Sequence, residues 1–502
     1  MTRPMSTKSS RILRNSNPLD GTFYGVGERI TAWDLGSSLP TEVGSLGPAT
    51  IKNPQPPAVV GAYRPLTSRR AVLADIDFIM SFLKKGKPVP SFLEAGPREF
   101  LYYDPATVRA AIITSGGVAP GLNRVVHAIV QRHCTTYGLD SSKGGSIVGI
   151  CDGTAGLNMT PFDQLELTPG ITSQHLSDGG SFLGSRRDYS LRDSAVAKQI
   201  AKNIKAAGIH ILYVLGGDGS LAAAAKLAPL VPGISVVCVP KTMDNDIPWV
   251  NQSFGFATSV SKATEVLTAM QTEASSTRRV GIVELFGADS GFVAANAALA
   301  HGKALLVLIP EMFSGFVTPG QMEDAFMNCL QFLRDKVRTQ QRGGGITVVA
   351  EGVGPLFASR GVTLLGKPIQ KRFCDQIEEL LEGNLYDAGG RRIDPFVNRP
   401  RHHIRAIAPN AADQTYCERL GALAVETALA GYTGCVVSNW LSEYVLVPLE
   451  LAALGGRKKA IATGGMFWKQ VVLSTGQPDV APGAISIPKA VRPVARARKA
   501  SR

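Results

Sequence analysis

Residues 209–246 read IHILYVLGGDGSLAAAAKLAPLVPGISVVCVPKTMDND, and they indicate the fold class more clearly than other parts of the sequence. Two apolar, β-branched segments, 209–215 and 234–239, each end in a polar turn, and a helical stretch lies between them. The pattern predicts two buried parallel strands of a β-α-β unit. Both polar turns would then lie at the carboxyl edge of the sheet, where open α/β sheets bind ligands.

The two turns carry three carboxylates, Asp218, Asp244 and Asp246, beside glycines that expose the backbone. Carboxylates in this setting indicate a Mg²⁺-nucleotide site with a general base, which is the chemistry of phosphoryl transfer. The alternative is that these acids only cap helices or lie solvated at loop tips.

The composition is that of a soluble globular protein, with 44% apolar and 19% charged residues. A chain of 502 residues is long enough for two packed α/β domains. We find no uninterrupted apolar run of about 18 residues, so no membrane span is expected. The seven cysteines are scattered without a C-x-x-C pair, which favours a reducing compartment and no structural zinc.

The net charge of +13 lies mostly in the two ends of the chain. Residues 1–70 carry nine basic and four acidic residues, and the tail from Lys489 to Arg502 adds six basic residues and no acidic one. Solvated tails account for such runs. No nucleic-acid-binding module accompanies the charge, so no nucleic-acid partner is expected.

The N-terminal segment from Met1 to Leu19 contains no acidic residue and no apolar secretory core. A cytoplasmic location is expected, and a transit peptide for a plastid or another organelle is the alternative. Residues 1–70 are rich in Pro, Gly and Ser, which predicts an irregular extension over the core or a neighbouring subunit. A helical pattern follows at 71–84.

Apolar segments then alternate with helical stretches, as expected for an α/β fold with parallel sheets. The predicted strands are 108–114, 209–215, 234–239, 280–285, 304–309, 346–350 and 435–437. The predicted helices include 124–133, 259–275 and 414–430.

Two further glycine turns have phosphate-binding character. One, at 114–123, contains Gly116 and Gly117 and leads into a helix, whose N-terminus favours an anion. The other, at 179–187, ends in Arg186 and Arg187, and arginine suits bidentate phosphate binding. Taken alone, the first is equally consistent with a plain tight turn, and the second is more consistent with a surface turn that carries solvated arginines. The P-loop pattern and the dinucleotide fingerprint are both missing at the first turn, which argues against those two classes of nucleotide-binding protein.

Taken in chain order, the four turns at 114–123, 179–187, 216–220 and 240–246 resemble those of the ATP-dependent 6-phosphofructokinase family. The resemblance covers residues 107–465, and the segment Pro240–Asp246 is highly specific to the family. The longer subtype of plants and kinetoplastids is most similar, because Lys241 stands where the short bacterial enzymes have glycine. The resemblance implies transfer of the γ-phosphoryl group of MgATP to the 1-hydroxyl of fructose 6-phosphate in glycolysis.

The resemblance also implies the architecture: two Rossmann-like three-layer α/β domains with chain crossovers and the active site between them. We expect residues 1–106 to form the N-terminal extension, 107–258 with 400–455 the ATP-binding domain, 259–399 with 456–485 the fructose 6-phosphate domain, and 486–502 a basic tail.

The roles that the resemblance implies fall into three groups. Catalysis is expected of Asp244 as the base, with Thr242 and Gly117. ATP contacts are expected of Gly117, Arg187, Gly217, Asp218, Gly219 and Ser220, with Asp218 also associated with Mg²⁺. Sugar-phosphate contacts are expected of Thr242, Asp244, Asp246, Arg279, Phe286, Gly287, Glu311, His402 and Arg405. Arg279 would enter the site of a neighbouring subunit, so a homo-oligomer, a dimer or tetramer with shared active sites, is expected.

Gly219 favours ATP, because the pyrophosphate-dependent relatives usually carry aspartate there, which repels the α-phosphate of a nucleotide. Lys241 is shared with those relatives and keeps the pyrophosphate alternative open. A third class, the NAD or lipid kinases, shares Gly-Gly-Asp-Gly, but it is not expected to carry the segment Pro240–Asp246.

One departure from the family pattern is Ala288, which stands where the family has an arginine that neutralises the transferring phosphoryl group. This departure prompts a second alternative, a non-catalytic regulatory subunit. Retention of Asp218, Thr242, Asp244 and Asp246 argues against it. We hypothesise that Lys241, Arg399 or Arg401 replaces the lost charge.

Overall fold

The computed structural model describes residues 41–55, 69–72, 76–186, 193–453 and 458–482. Three features predicted from the sequence lie outside these residues: the transit-like segment Met1–Leu19, Arg187 and the basic tail from Lys489. No helix in the described ranges has the length and apolarity that crossing a bilayer requires.

Strands and helices alternate along most of the described chain. The strands are β1 (Gly44–Ser45), β2 (Ile51–Lys52), β3 (Arg69–Ala71), β4 (Ser91–Glu94), β5 (Phe100–Leu101), β6 (Arg109–Ser115), β7 (Ser146–Ile150), β8 (Gln164–Glu166), β9 (Ile211–Gly216), β10 (Ser235–Pro240), β11 (Val280–Leu285), β12 (Leu306–Leu308), β13 (Gly345–Ala350), β14 (Thr363–Leu364), β15 (Lys367–Pro368), β16 (Pro395–Asn398), β17 (Tyr432–Thr433), β18 (Cys435–Trp440) and β19 (Glu443–Pro448). The helices are α1 (Ile76–Lys84), α2 (Leu122–Gln131), α3 (Thr154–Leu157), α4 (Pro169–Ser173), α5 (Ser194–Ala206), α6 (Asp218–Leu227), α7 (Phe256–Thr277), α8 (Phe292–His301), α9 (Glu311–Ser314), α10 (Pro319–Arg338), α11 (Val353–Ser359), α12 (Phe373–Leu381), α13 (Ala411–Leu429), α14 (Leu449–Ala452) and α15 (Met466–Thr475). A π-helical turn spans Arg132–Thr136, and 3₁₀ turns span Ser141–Lys143, Ala228–Leu230 and Arg401–Ile404.

The larger sheet has the strand order β3-β4-β19-β18-β10-β9-β6-β7-β8. Its five central strands, β18 to β7 in that order, are parallel, and antiparallel strands flank them on both sides. Gly216 at the end of β9 pairs with both Ser115 of β6 and Pro240 of β10. Three strand-ending turns therefore begin at one edge of the sheet, including the two turns that the sequence predicted there.

The smaller sheet has the order β12-β13-β11-β16, and all its pairs are parallel. Apolar side chains of its strands and of α7, α8 and α10 form one continuous core. All seven predicted strands form, with ends that differ by a few residues, and the predicted α/β class is confirmed.

The chain crosses between the two sheets more than once. It passes from β10 of the larger sheet to β11 of the smaller one, and it returns after β16 through α13 to β18. After β19 it crosses again, because Trp468 and Val471 of α15 pack in the core of the smaller sheet. Arg405 and Lys458 lie on the segments that cross after β16 and β19, and both line the cleft that the strand-ending turns form.

The N-terminal region is more regular than its composition predicts. The predicted helix is present as α1, and β3 and β4 extend the larger sheet through β19. Phe92 of β4 is fully buried and contacts the rings of Trp249 and Trp440 edge-on, at centroid distances of 5.8 and 6.2 Å. Trp440 also donates from Nε1 to the Val72 carbonyl at 2.8 Å.

Candidate active site between the two sheets

A cleft with a cavity volume of about 430 Å³ lies at the edge where β6, β9 and β10 end. Its size is within the ordinary range for a small-molecule site. The lining residues are 115–118, 154, 217–220, 222, 223, 226, 241–244, 246, 288, 405 and 458. The cleft therefore brings together three of the four predicted turns.

The first wall is the turn between β9 and α6. Helix α6 begins at Asp218, directly after Gly217, so its N-terminus opens into the cleft with a partial positive charge that suits phosphate. The Asp218 side chain is 52% exposed. A β-carbon built on Gly219 meets no heavy atom within 4 Å, so this side of the cleft has open space.

The glycine turn after β6 forms the second wall. Gly116 has a φ of 88°, which glycine adopts without strain, and its carbonyl accepts from Ser185 Oγ at 2.7 Å. Its N–H donates to the Arg186 carbonyl at 3.3 Å. Lys241 Nζ donates to the neighbouring Gly117 carbonyl. The second glycine turn thus packs against the first over its described part, which ends at Arg186.

The third wall is the turn after β10, in which Thr242 organises two carboxylates. The Asp244 N–H donates to Thr242 Oγ1 at 3.0 Å, and this hydroxyl lies 3.3 Å from Asp244 Oδ2 and 3.5 Å from Asp246 Oδ1. Ser290 Oγ donates to the Asp244 carbonyl at 3.1 Å, which ties the turn to the loop after β11.

The electrostatics of this turn are unusual. Burial raises the pKa of the Asp244 carboxyl to about 7, and Asp246 and Glu351 add to the rise, whereas Arg405 and Lys458 oppose it. Burial also raises the pKa of Asp246, against the effect of Lys458. A carboxylate whose pKa lies near neutrality is suited to accept a proton in catalysis.

Lys458 is a cation of the cleft that the sequence analysis did not identify. Its Nζ lies 3.0 Å from Asp246 Oδ2, 3.1 Å from Asp289 Oδ2 and 3.6 Å from Asp218 Oδ2. Burial lowers the pKa of Lys458, but the carboxylates of Asp246 and Asp218 outweigh that effect and raise it overall. No local sequence motif marks this lysine, because it reaches the cleft only where the chain crosses from the larger sheet to the smaller one after β19.

The cations proposed to replace the charge missing at Ala288 have different positions. Lys241 lines the cleft. Arg399 does not line it, because it forms ion pairs with Glu284, at 3.3 Å, and with Asp375. Arg401 is exposed at the start of a 3₁₀ turn and does not line the cleft either. Of these three cations, Lys241 is thus the one that lines the cleft.

The predicted sugar-phosphate residues are only partly assembled at the cleft. Arg405 lines it, donates to the Val118 carbonyl at 3.2 and 3.1 Å, and lies 5.1 Å from the Phe286 ring centre. His402 is exposed on the 3₁₀ turn outside the cleft lining. The Gly287 and Ala288 N–H groups donate to Glu351 Oε1 at 3.4 and 2.9 Å.

Glu311 lies behind the cleft lining. It is 7% exposed, and its Oε1 accepts from the N–H groups of Gly291 and Ile461 at 2.9 and 3.0 Å. Its Oε2 is buried and has no hydrogen-bond partner among the described residues. Burial raises the pKa of Glu311 to about 7.

Arg279 lies away from the cleft of its own chain. It precedes β11, whereas Phe286 and Gly287 follow β11, and six strand residues span roughly 20 Å. Its guanidinium donates to the Pro395 carbonyl at 3.1 Å and lies 4.5 Å from the Phe396 ring centre. A single chain therefore does not bring Arg279 to its own Asp244.

Comparison with known proteins identifies the family. The family model described as phosphofructokinase matches residues 109–428, more than half of the chain. The chain belongs to the phosphofructokinase family. The ATP-dependent 6-phosphofructokinase of Amycolatopsis methanolica is 35% identical over 403 residues, covering 78% of this chain and 83% of that protein.

Plant and fungal phosphofructokinases are also similar. The chloroplastic ATP-dependent 6-phosphofructokinase 5 of Arabidopsis thaliana is 34% identical, over 77% of this chain and 69% of that protein. The crystal structure of Pichia pastoris phosphofructokinase has a TM-score of 0.55 at 25% identity, covering 69% of this chain and 35% of that one. The predicted membership of the phosphofructokinase family is confirmed.

Proposed function

We propose that this phosphofructokinase is the ATP-dependent 6-phosphofructokinase that the sequence predicts. It transfers the γ-phosphoryl group of MgATP to the 1-hydroxyl of fructose 6-phosphate. The observation that carries the proposal is the joint position of Asp218 and Asp244 in one cleft, at the ends of adjacent strands β9 and β10. The curated relatives, 30–35% identical over most of the chain, bear the name of this activity.

Asp244 is the proposed general base. The sugar 1-hydroxyl oxygen forms a bond to the γ-phosphorus, the bond from that phosphorus to the ADP oxygen breaks, and the hydroxyl proton moves to the Asp244 carboxylate. Thr242 holds this carboxylate through the contacts described above. Gly117 contributes backbone at the place where the transferring phosphate is expected, together with the N-terminus of α6.

Mg²⁺ is the proposed metal, with Asp218 as its protein partner. The described residues contain no group of three or more His, Cys, Asp or Glu arranged to hold a metal on their own. Mg²⁺ at nucleotide sites takes one or two carboxylates and completes its shell with phosphates and water, so the exposed Asp218 carboxylate fits this donor set. When bound, Mg²⁺ neutralises charge on the phosphates.

The shape of the cleft supports ATP as the donor. Open space surrounds Gly219, and the lining continues along α6 through Ala222, Ala223 and Lys226, which leaves room beyond a pyrophosphate. The pyrophosphate-dependent and regulatory-subunit alternatives are not favoured, since the curated relatives are named as ATP-dependent enzymes.

The finer properties remain part of the proposal: a glycolytic and allosteric role, a homo-oligomer of two or four subunits, and a cytoplasmic or plastid location. The position of Arg279 supports shared sites, because it lies at the far end of β11 from its own cleft. Similarity to a chloroplastic enzyme is consistent with the plastid alternative.

A coupled assay tests the proposed function. Purified full-length protein is given fructose 6-phosphate and Mg²⁺ with either ATP or pyrophosphate, and formation of fructose 1,6-bisphosphate is followed. We expect turnover with ATP and little with pyrophosphate. Turnover with pyrophosphate alone would reassign the donor, and turnover with neither would contradict the kinase function.

A further inference from the structure

Lys458 joins three aspartates that belong to three different segments. Asp218 begins α6, Asp246 lies in the turn after β10, and Asp289 follows β11 of the smaller sheet. The three Nζ–Oδ2 distances are between 3.0 and 3.6 Å. One amine therefore connects the two sheets across the mouth of the cleft.

The backbone next to Lys458 is held firmly in place. The Lys459 N–H donates to the Asp246 carbonyl at 2.8 Å. The Lys459 side chain is fully buried and donates from Nζ to the carbonyls of Val250 and Asn251 at 2.7 and 2.9 Å. The position of Lys458 beside Asp246 is thus fixed by its neighbour rather than by a flexible surface contact.

The cleft has an electrostatic problem that this amine addresses. Four carboxylates, those of Asp218, Asp244, Asp246 and Asp289, lie in or at the edge of the cleft, and the lining also includes the cations Lys226, Lys241 and Arg405. The polyphosphate of a nucleotide is itself strongly anionic, and like charges brought close together in a cleft repel one another. The lysine ammonium group carries its charge at neutral pH and lies among three of the four carboxylates.

We propose that Lys458 is a positioning residue for the phosphoryl donor: it holds Asp218, Asp246 and Asp289 together and neutralises them, so that the donor polyphosphate can enter the cleft. This inference rests on the proposed donor site. Lys458 acts through the aspartates, and therefore its removal weakens donor binding more than it weakens sugar-phosphate binding.

The test compares Lys458→Met with Lys458→Arg in the full-length protein. Two readouts are used: steady-state kinetics for both substrates, and calorimetric binding of MgATP without fructose 6-phosphate. For Lys458→Met we expect the KM and Kd for MgATP to rise about tenfold or more, with the KM for fructose 6-phosphate within about twofold. Lys458→Arg keeps the charge and should retain most of the affinity. Lys303→Met, at an exposed lysine away from the cleft, is the control.

A double variant distinguishes a positioning role of Lys458 from a general effect of its removal on folding. In Lys458→Met/Asp289→Asn one uncompensated carboxylate is removed, so MgATP affinity should recover by about threefold or more relative to Lys458→Met. MgATP affinity within twofold of wild type in Lys458→Met would overturn the proposal. Equal losses for both substrates without recovery in the double variant would also overturn it. Binding is measured without turnover, so failure of the proposed activity is seen separately, in the wild-type assay.

Discussion

The Asp244 N–H donates to Thr242 Oγ1 at 3.0 Å, and the same hydroxyl lies 3.3 Å from the Asp244 carboxylate. One threonine thus fixes both the backbone and the side chain of the proposed base. The turn that Thr242 organises adjoins the turns after β9 and β6, because Gly216 pairs with Pro240 and Ser115 at the ends of the strands.

Replacement of Thr242 by valine should therefore reduce kcat. The hydroxyl is lost at nearly constant shape, and a hydrogen bond to a charged group is worth enough for a loss of roughly ten- to a hundredfold. Thr242→Ser retains the hydroxyl and is the control, with an expected kcat within a few-fold of wild type. Equal activity of the valine and serine variants would contradict the role given to the hydroxyl.

The pH profile should report the Asp244 carboxylate. A base must be deprotonated to accept a proton, and burial raises the pKa of Asp244 to about 7. We therefore expect kcat/KM for MgATP to fall as the pH drops below about 7 and to level off above it. Glu351→Gln removes a negative charge that raises this pKa, so the midpoint should move to lower pH. A midpoint that stays in place in this variant would contradict the assignment.

Donor choice should depend on Gly219. Aspartate there adds a carboxylate beside Asp218 in the space that we assign to the nucleotide, so the KM for MgATP should rise about tenfold or more. Gly219→Ala is the matched control, because a β-carbon at this position meets no atom within 4 Å. If alanine and aspartate have the same effect, the loss reflects the backbone and not charge at the donor site.

The N-terminal strands should contribute to global stability. Phe92→Ala removes a fully buried ring that packs on Trp249 and Trp440, and it should lower the free energy of unfolding by about 3 kcal/mol. Phe100→Ala, at a side chain that is 40% exposed, should cost less than about 1 kcal/mol. Chemical denaturation measures both. Similar losses in the two variants would mean that β4 does not anchor the Trp249 segment.

The sequence predicted those parts of the fold that local patterns determine. The turns after β9 and β10 follow continuous apolar strands, so their position at one sheet edge could be deduced from periodicity and the α/β rules. Strands β3 and β4 have three and four residues in a proline-rich region, and they join the sheet because β4 pairs with β19 and β3 pairs with β4. Such short strands have no periodicity of their own to detect.

The sequence predicted the residues of the proposed nucleotide site better than the other residues of the cleft. Asp218 and Asp244 come from adjacent motifs, whereas Lys458 and Asp289 meet only because the chain crosses between the sheets. Arg399 carries the charge that the hypothesis required, but Glu284 and Asp375 bind it elsewhere. Charge type is visible in a sequence, and the direction in which a long side chain points is not.

In the proposed reaction, Asp244 accepts the proton during phosphoryl transfer from ATP. Asp244→Asn removes the acceptor at nearly constant shape, and the direct measurement is kcat with saturating MgATP and fructose 6-phosphate. We predict a loss of at least about a hundredfold in kcat, with calorimetric MgATP affinity within about threefold of wild type. A variant that keeps kcat within about tenfold of wild type would contradict the assignment of Asp244 as the base.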